Sequence, residues 1–279
     1  MYFRPKTIDE AISALASSGG RILSGGTDFF PGLGEGVADG PIVDISVVTD
    51  MSGVVMTEMD IRIGGRTTWS DLIAAPLPPS CDMLKAAARE VGSIQIQNAG
   101  TIGGNICNAS PAADGIPPLL ALDAELELAS ASGRRRLALA DFLTGYRATL
   151  LRSDEILTAV ILPRTIDLGC SAFLKLGGRR YLVISIAMVA AVIETLGGKV
   201  AQARVSVGSC SAVAKRLHDL EAVLVGRNAR AGLGALATAE HLAALAPIDD
   251  MRASASYRMD AALTLVRRSI ETCVATVRT

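Results

Sequence analysis

The chain has few of the residues that most enzymes use to make or break bonds. Its 279 residues include only two histidines, His218 and His241, and five cysteines, at positions 81, 107, 170, 210 and 273. No two cysteines form a C-x-x-C pair, so no zinc or iron–sulfur site is expected here, and they read as small core residues. The single tryptophan, Trp69, is expected to be a half-buried structural residue. Charge is nearly balanced at −1, which gives no electrostatic case for nucleic acid or an anionic membrane surface. The longest apolar run, Leu182–Ile193, is too short to span a bilayer and predicts a buried strand. The opening stretch, MYFRPKTIDEAISAL, has no apolar signal core and carries acids early, which predicts a cytoplasmic protein. No nucleophile–base pair stands out, and both histidines fall in C-terminal helical stretches. If the chain is an enzyme, a cofactor carries the chemistry.

What is present is a globular composition, 50% hydrophobic, with enough length for one large domain or two ordinary ones. Thr7 and Glu10 match a capping box, and Ile8, Ala11, Ile12 and Leu15 share one face, predicting a helix that ends at Gly19-Gly20. Strands follow at Arg21–Ser24 and Pro41–Ser46. From Ile61 the style changes: a strand, a Gly-Gly turn, a helix opening near Thr68, and a second helix carrying Met83, Leu84, Ala87 and Ala88. Short strands at Ala124–Ser130, Arg134–Ala140 and Glu155–Pro163 predict an antiparallel α+β unit. The segment Pro163–Gly169 is the best boundary. Beyond it, three strands (Ser171–Gly177, Leu182–Thr195, Lys199–Ser209) precede helices expected at Ala214–Leu224, around Leu233–Leu245, and at the C-terminus.

Two glycine pairs stand out. One lies in LSGGTDFFPG, Leu23 to Gly32; the other lies in TIGGN, Thr101 to Asn105, followed by Ser110-Pro111-Ala112-Ala113-Asp114. A glycine pair after a strand bares backbone N–H groups, and several pointing one way form an anion nest. Thr27 and Thr101 add hydroxyls, and Asn105 and Asn108 add neutral polar groups. Two such loops suit the two sides of a bound dinucleotide. Gly-Gly pairs are also common in plain turns, and neither loop is a Walker loop or a G-x-G-x-x-G fingerprint. From the residues alone both readings stand open.

The stretches LSGGTDFFPGL, TIGGNICNASPAADGIPPLLALDAELEL, FLKLGGRRYLVISIAMVA and ASYRMDAALTLVRRSIE, in this order and spacing, resemble the FAD-binding medium subunit of the molybdenum hydroxylases. That is the xanthine dehydrogenase, carbon monoxide dehydrogenase and aldehyde oxidoreductase family, and the resemblance covers essentially the whole chain. It implies an α+β fold: a two-subdomain FAD-binding domain of the vanillyl-alcohol-oxidase/PCMH type over 1–165 (subdomains about 1–56 and 57–165), then a C-terminal flavoprotein domain over 168–279. The latter is expected to hold three strands and three helices. It also implies residue roles. Ile22, Leu23, Ser24, Gly25, Gly26, Thr27, Asp28 and Phe29 form the first FAD loop. Thr101, Ile102, Gly103, Gly104 and Asn105 form the second. Asp114 matches a family FAD-binding acid, Leu157 an apolar contact to the flavin region, and Lys175 a lysine beside the flavin. Val91 falls where an apolar contact to the cofactor is expected.

The resemblance further implies a division of labour. A large partner subunit carries the molybdenum cofactor and hydroxylates substrate. A small partner carries 2Fe-2S clusters. FAD on this chain passes electrons to NAD+, oxygen or a quinone. The assembly implied is a heterotrimer that doubles. The alternatives are a stand-alone FAD-dependent oxidase or reductase on the same fold, which needs an acid or base facing the flavin, and a scaffold subunit that has lost its cofactor.

Overall fold

The computed structural model describes residues 1–180 and 182–277; Tyr181, within one of the stretches quoted above, and the last two residues lie outside them. Along the chain run β1 (Tyr2–Phe3), α1 (Ile8–Ser18), β2 (Arg21–Leu23), α2 (Phe29–Leu33), β3 (Ile42–Asp44), β4 (Val54–Met56), β5 (Asp60–Gly64) and α3 (Trp69–Ala74). Then come α4 (Asp82–Glu90), α5 (Ile94–Ala99), α6 (Ile102–Asn108), α7 (Ile116–Ala121), β6 (Glu125–Ser130), β7 (Gly133–Ala138), α8 (Leu139–Phe142), β8 (Leu143–Gly145), β9 (Ala148–Thr149) and β10 (Ile156–Pro163). The last part holds β11 (Cys170–Leu176), β12 (Ala187–Leu196), β13 (Lys199–Gly208), β14 (Lys215–Arg216), α9 (His218–Leu224) and α10 (Ala255–Val277). No helix among the described residues is long and apolar enough to cross a membrane.

The chain divides into two compact units. The first comprises Met1–Ala75, Gly92–Ala109 and Ala124–Pro163; the second comprises Pro76–Val91, Ser110–Asp123 and Arg164–Thr279. Two short segments therefore leave the first run of sequence to pack in the second unit.

In the first unit a parallel sheet, ordered β1-β3-β2, lies beside α1. Ile8, Ala11 and Leu15 of α1 join Val43, Ile45, Val48, Met51 and Ile156 in one apolar cluster, as the helical spacing predicts. The Thr7 hydroxyl accepts from the Glu10 N–H, and Gly19 ends the helix in the left-handed region. The Glu10 carboxylate accepts from the Lys6 N–H, one residue before the position a capping box requires. The second sheet of this unit is antiparallel, ordered β4-β5-β10-β6-β7. Its edge strand β7 carries Arg134, Arg135 and Arg136, which pair with Glu127, Glu155 and Glu125. That charge run is a set of ion pairs on the sheet.

In the second unit an antiparallel sheet, ordered β11-β12-β13-β14, is covered by α10. Ala187, Val189, Ala191 and Ile193 of β12 cluster with Ala262, Val266, Ile270 and Cys273 of α10. The alternate residues Met188, Ala190 and Val192 are buried too, and α7 also packs on β12 and β13. A strand covered on both faces explains why this segment reads as one continuous apolar run. The run departs from expectation at its start. Leu182 sits at φ 51 with its carbonyl held by Arg179, so the strand begins at Ala187. The helix expected from Ala214 begins at His218, because Lys215 and Arg216 pair with Val207 and Ser206 of β13 and extend the sheet by a fourth strand. The stretch Leu233–Leu245 forms two 3-10 turns, broken by the Thr238 cap, instead of one helix.

Candidate functional site

Both glycine loops belong to the first unit, and the structure brings them into contact. Ile22 and Leu23 belong to strand β2, which ends at the first loop. A Cβ on Gly25 would lie 1.9 Å from the Ala99 carbonyl oxygen, so only glycine allows the first loop to rest on the peptide that leads into the second. The Ser24 and Thr101 hydroxyls lie 3.1 Å apart. Gly26 stands at φ 71, beneath the Phe30 ring. Trp69, fully buried instead of half-buried, donates its backbone N–H to Gly100, and the Ile102 N–H returns to Thr67.

The two loops treat their backbone donors in opposite ways. In the second loop every N–H from Ile102 to Asn105 is used. Ile102 donates to Thr67 O, Gly103 to Gly65 O at 2.8 Å, Gly104 to the Thr101 hydroxyl at 3.1 Å and Asn105 to Thr101 O. A second nest of open donors, which the glycine pair led us to expect, is therefore not formed there. In the first loop the N–H groups of Gly25, Gly26, Thr27 and Asp28 meet no acceptor among the described residues. These residues are half-buried, apart from exposed Asp28. What the second loop offers is different. Gly104 is exposed, and a Cβ there would meet only the Thr101 hydroxyl. The Asn105 Oδ1 atom is buried without a hydrogen-bond donor among the described residues.

Leu157 is buried on β10, beside a break in the register with β6. Its carbonyl would lie 2.4 Å from a Cβ on Gly65, and Gly65 in turn supports Gly103. Leu157 thus stands one layer behind the second loop. Phe29 stacks edge-on with Phe30 and carries the Arg21 guanidinium 4.8 Å above its ring. Asp28 does not cap α2; its carboxylate accepts instead from Arg147.

Asp114 and Lys175 lie together in the second unit. Lys175 Nζ donates to Asp114 Oδ2 at 2.7 Å and to the Glu90 carbonyl, and the Ser185 hydroxyl donates to Asp114 Oδ1 at 2.7 Å. Burial pushes the Asp114 carboxyl up, against the opposing pull of Lys175 and Ser185. Val91 follows α4 in the same unit and is half-buried.

Sequence reading missed Arg147, Ser185 and Gly65. Arg147 and Ser185 stand 119 and 71 residues from their carboxylate partners, and nothing local marks them. Gly65 did carry a signal, since it belongs to another glycine pair, Gly64-Gly65, read only as a turn. Burial pushes the Cys81, Cys107 and Cys273 thiols up to about 12, that of Cys210 to about 11, and that of Cys170 upward, which disfavours the reactive thiolate. Among the described residues no group of three or more His, Cys, Asp or Glu side chains is placed to hold a metal.

Comparison with known proteins bears on this geometry. A family model described as the FAD binding domain in molybdopterin dehydrogenase matches residues 1–165, and one described as the CO dehydrogenase flavoprotein C-terminal domain matches residues 172–273. The putative xanthine dehydrogenase FAD-binding subunit of Escherichia coli K12 is 32% identical over 98% of this chain and 96% of its own length. The carbon monoxide dehydrogenase medium chain of Afipia carboxidovorans is 32% identical over 97% and 95%. The nicotinate dehydrogenase FAD-subunit of Eubacterium barkeri is 36% identical over a shorter stretch, 66% of this chain and 65% of that subunit. Among solved structures, the cyanide-inactivated Cu,Mo-CO dehydrogenase contains a chain that superposes with a TM-score of 0.90 at 29% identity, covering 98% of this chain and 97% of that one. This chain belongs to the family of FAD-binding medium subunits of the molybdenum hydroxylases, a family of oxidoreductase subunits.

Proposed function

We propose that this chain holds FAD between its two glycine loops and serves as the electron-transfer subunit of a molybdenum hydroxylase in the cytoplasm. One observation carries the reading. Four consecutive backbone N–H groups, Gly25 to Asp28, lie open on a loop that is packed against a second glycine loop. Open N–H groups in a row are suited to a diphosphate.

The remaining residues fit the same group. Gly104, bare and exposed, permits close backbone approach by the dinucleotide. The buried Asn105 Oδ1, which has no donor among the described residues, is suited to accept from a hydroxyl or N–H of the cofactor. Leu157 supplies apolar backing. In the second unit, taken by itself, Asp114 is fixed by Lys175 and Ser185. FAD, when bound, supplies the capacity to take up and release one or two electrons. The chain's own residues bind it, orient it and shield it; no catalytic acid or base is assigned to them.

The partners that complete this reading are a small 2Fe-2S subunit, which delivers electrons, and a large subunit with the molybdenum cofactor, where substrate is hydroxylated. NAD+, oxygen or a quinone takes the electrons away, and two heterotrimers pair. The test is the visible absorbance of the purified chain before and after incubation with FAD and desalting, repeated with the partner subunits co-expressed. A retained, non-covalent flavin spectrum is expected. No retained flavin in either preparation would refute the reading.

A further inference from the structure

The first glycine loop contains an acid. Asp28 closes the run of open N–H groups, and its carboxylate is exposed. An uncompensated carboxylate there would repel a diphosphate, and the repulsion acts over roughly a Debye length, about 8–10 Å at physiological salt. The nearby cation Arg21 is committed to the Phe29 ring. The charge is met from elsewhere in the same unit. Arg147 Nη1 lies 3.1 Å from Asp28 Oδ2 and 2.6 Å from Asn108 Oδ1.

Arg147 is also fixed by its own backbone. It sits in the turn between β8 and β9, and its N–H donates to the Ala109 carbonyl at 3.1 Å. Both residues occupy the left-handed region, at φ 48 and φ 46. Residues without glycine's freedom hold that conformation at a cost of about 1–3 kcal/mol each, and such strain concentrates at functional positions. One residue thus grips the end of α6, which carries the second loop, and reaches the acid of the first. The Asp28 hydrogen bond also raises the guanidinium's proton affinity, so it stays charged at any physiological pH.

We propose that Arg147 is a positioning residue for the FAD diphosphate, neutralising the Asp28 carboxylate beside the open N–H groups and tying the first glycine loop to the second. This rests on the FAD reading above and adds to it a residue outside both glycine motifs.

The test is a titration of the FAD-free full-length chain with FAD, read by quenching of flavin fluorescence, at low and high salt. Arg147→Asn is the informative variant, because asparagine tolerates the left-handed backbone while the change shortens the side chain and removes its charge. It is expected to weaken FAD roughly ten- to hundredfold at low salt, the scale of a lost charge-assisted contact, with less effect at high salt. Adding Asp28→Asn to it is expected to restore affinity to within about threefold of Asp28→Asn alone, because the charge to be neutralised is then gone. Arg147→Gly, equally suited to that backbone, is read in its place if the asparagine variant does not fold. Unchanged FAD affinity in the variant would overturn the inference while leaving the FAD reading intact. A loss that Asp28→Asn does not relieve would also overturn it, by showing a role in folding of the turn alone. A wild-type chain that takes up no FAD would overturn the FAD reading and this inference with it.

Discussion

The two glycine loops look alike as sequence and are built for different work. In each, one glycine removes a side chain so that two stretches of backbone can touch: Gly25 rests on Ala99–Gly100, and Gly103 rests on Gly65. Their partner glycines diverge. Gly26 adopts φ 71 beneath an aromatic ring, whereas Gly104 meets only the capping hydroxyl of Thr101. The donors diverge as well, open in the first loop and closed in the second. The first loop leaves its donors open, and the second spends its donors on holding its own shape. A Gly-Gly pair in a sequence therefore marks close approach but does not say of what.

Gly25→Ala should break the comparison most forcefully. Its Cβ would overlap the Ala99 carbonyl, and backbone cannot swing aside as a side chain can. A loss of about 3 kcal/mol or more is expected, at or above the upper end for overpacking. Thermal denaturation measures it, and a melting temperature near that of wild type would show that the contact between the loops is dispensable. Gly104→Val should do the reverse. Only the Thr101 hydroxyl must shift, so the FAD-free chain should melt within a few degrees of wild type. FAD affinity should fall about a hundredfold, because the bare backbone is gone, a change worth about 2.7 kcal/mol. If Gly104→Val unfolds the chain instead, Gly104 is a packing glycine and the contrast between the loops fails.

Thr101→Val sharpens the contrast more gently. It keeps the volume and removes the hydroxyl that accepts from Gly104 and pairs with Ser24. Loss of such a cap costs about 1 kcal/mol, measurable as a shift in the urea midpoint at unchanged slope. It also frees the Gly104 N–H, making the second loop more like the first. An unchanged midpoint would mean that water replaces the cap at no cost.

These differences also explain what sequence could and could not reveal. The α1 cap at Thr7, the end at Gly19 and the α3 cap at Thr68 were legible, because the residues that decide them are within a few positions. The two loops were legible as places. Their roles were not, since the fate of the second loop's N–H groups depends in part on the Thr67 and Gly65 carbonyls, which approach only when the unit folds. Lys215–Arg216 misled for the same reason: a helical pattern lost to pairing with β13. The ion pairs of Arg134, Arg135 and Arg136 could not be read locally, because Glu125 and Glu127 lie on β6 and Glu155 stands just before β10. Asp114 was singled out by its place just after the second loop and by the resemblance, but Ser185, which completes its setting, was invisible.

Asp114 gives the comparison its smallest and cleanest test. Like the second loop it is closed: both carboxylate oxygens are engaged, by Lys175 and Ser185. Burial nevertheless dominates and raises its pKa in the folded chain above the ordinary carboxylate value. The folded state then holds the proton more tightly than the unfolded state. Stability contributed by this group is fully present below the unfolded value, near 3.9, and declines as pH rises through the window up to the raised folded value. Glu127 and Glu155 of the first unit are shifted the other way, Glu127 by hydrogen bonds and ion pairs that outweigh its burial and Glu155 chiefly by Arg135; their contributions are lost as pH falls. Urea midpoints of wild type and Asp114→Asn, measured from pH 3.5 to 7, separate the two. The difference between the curves should change across the acid end and level off above the folded pKa, with the wild type losing ground relative to the variant as pH rises. A difference independent of pH would mean that Lys175 and Ser185 fully offset the burial, leaving Asp114 as ordinary a carboxylate as one on the surface.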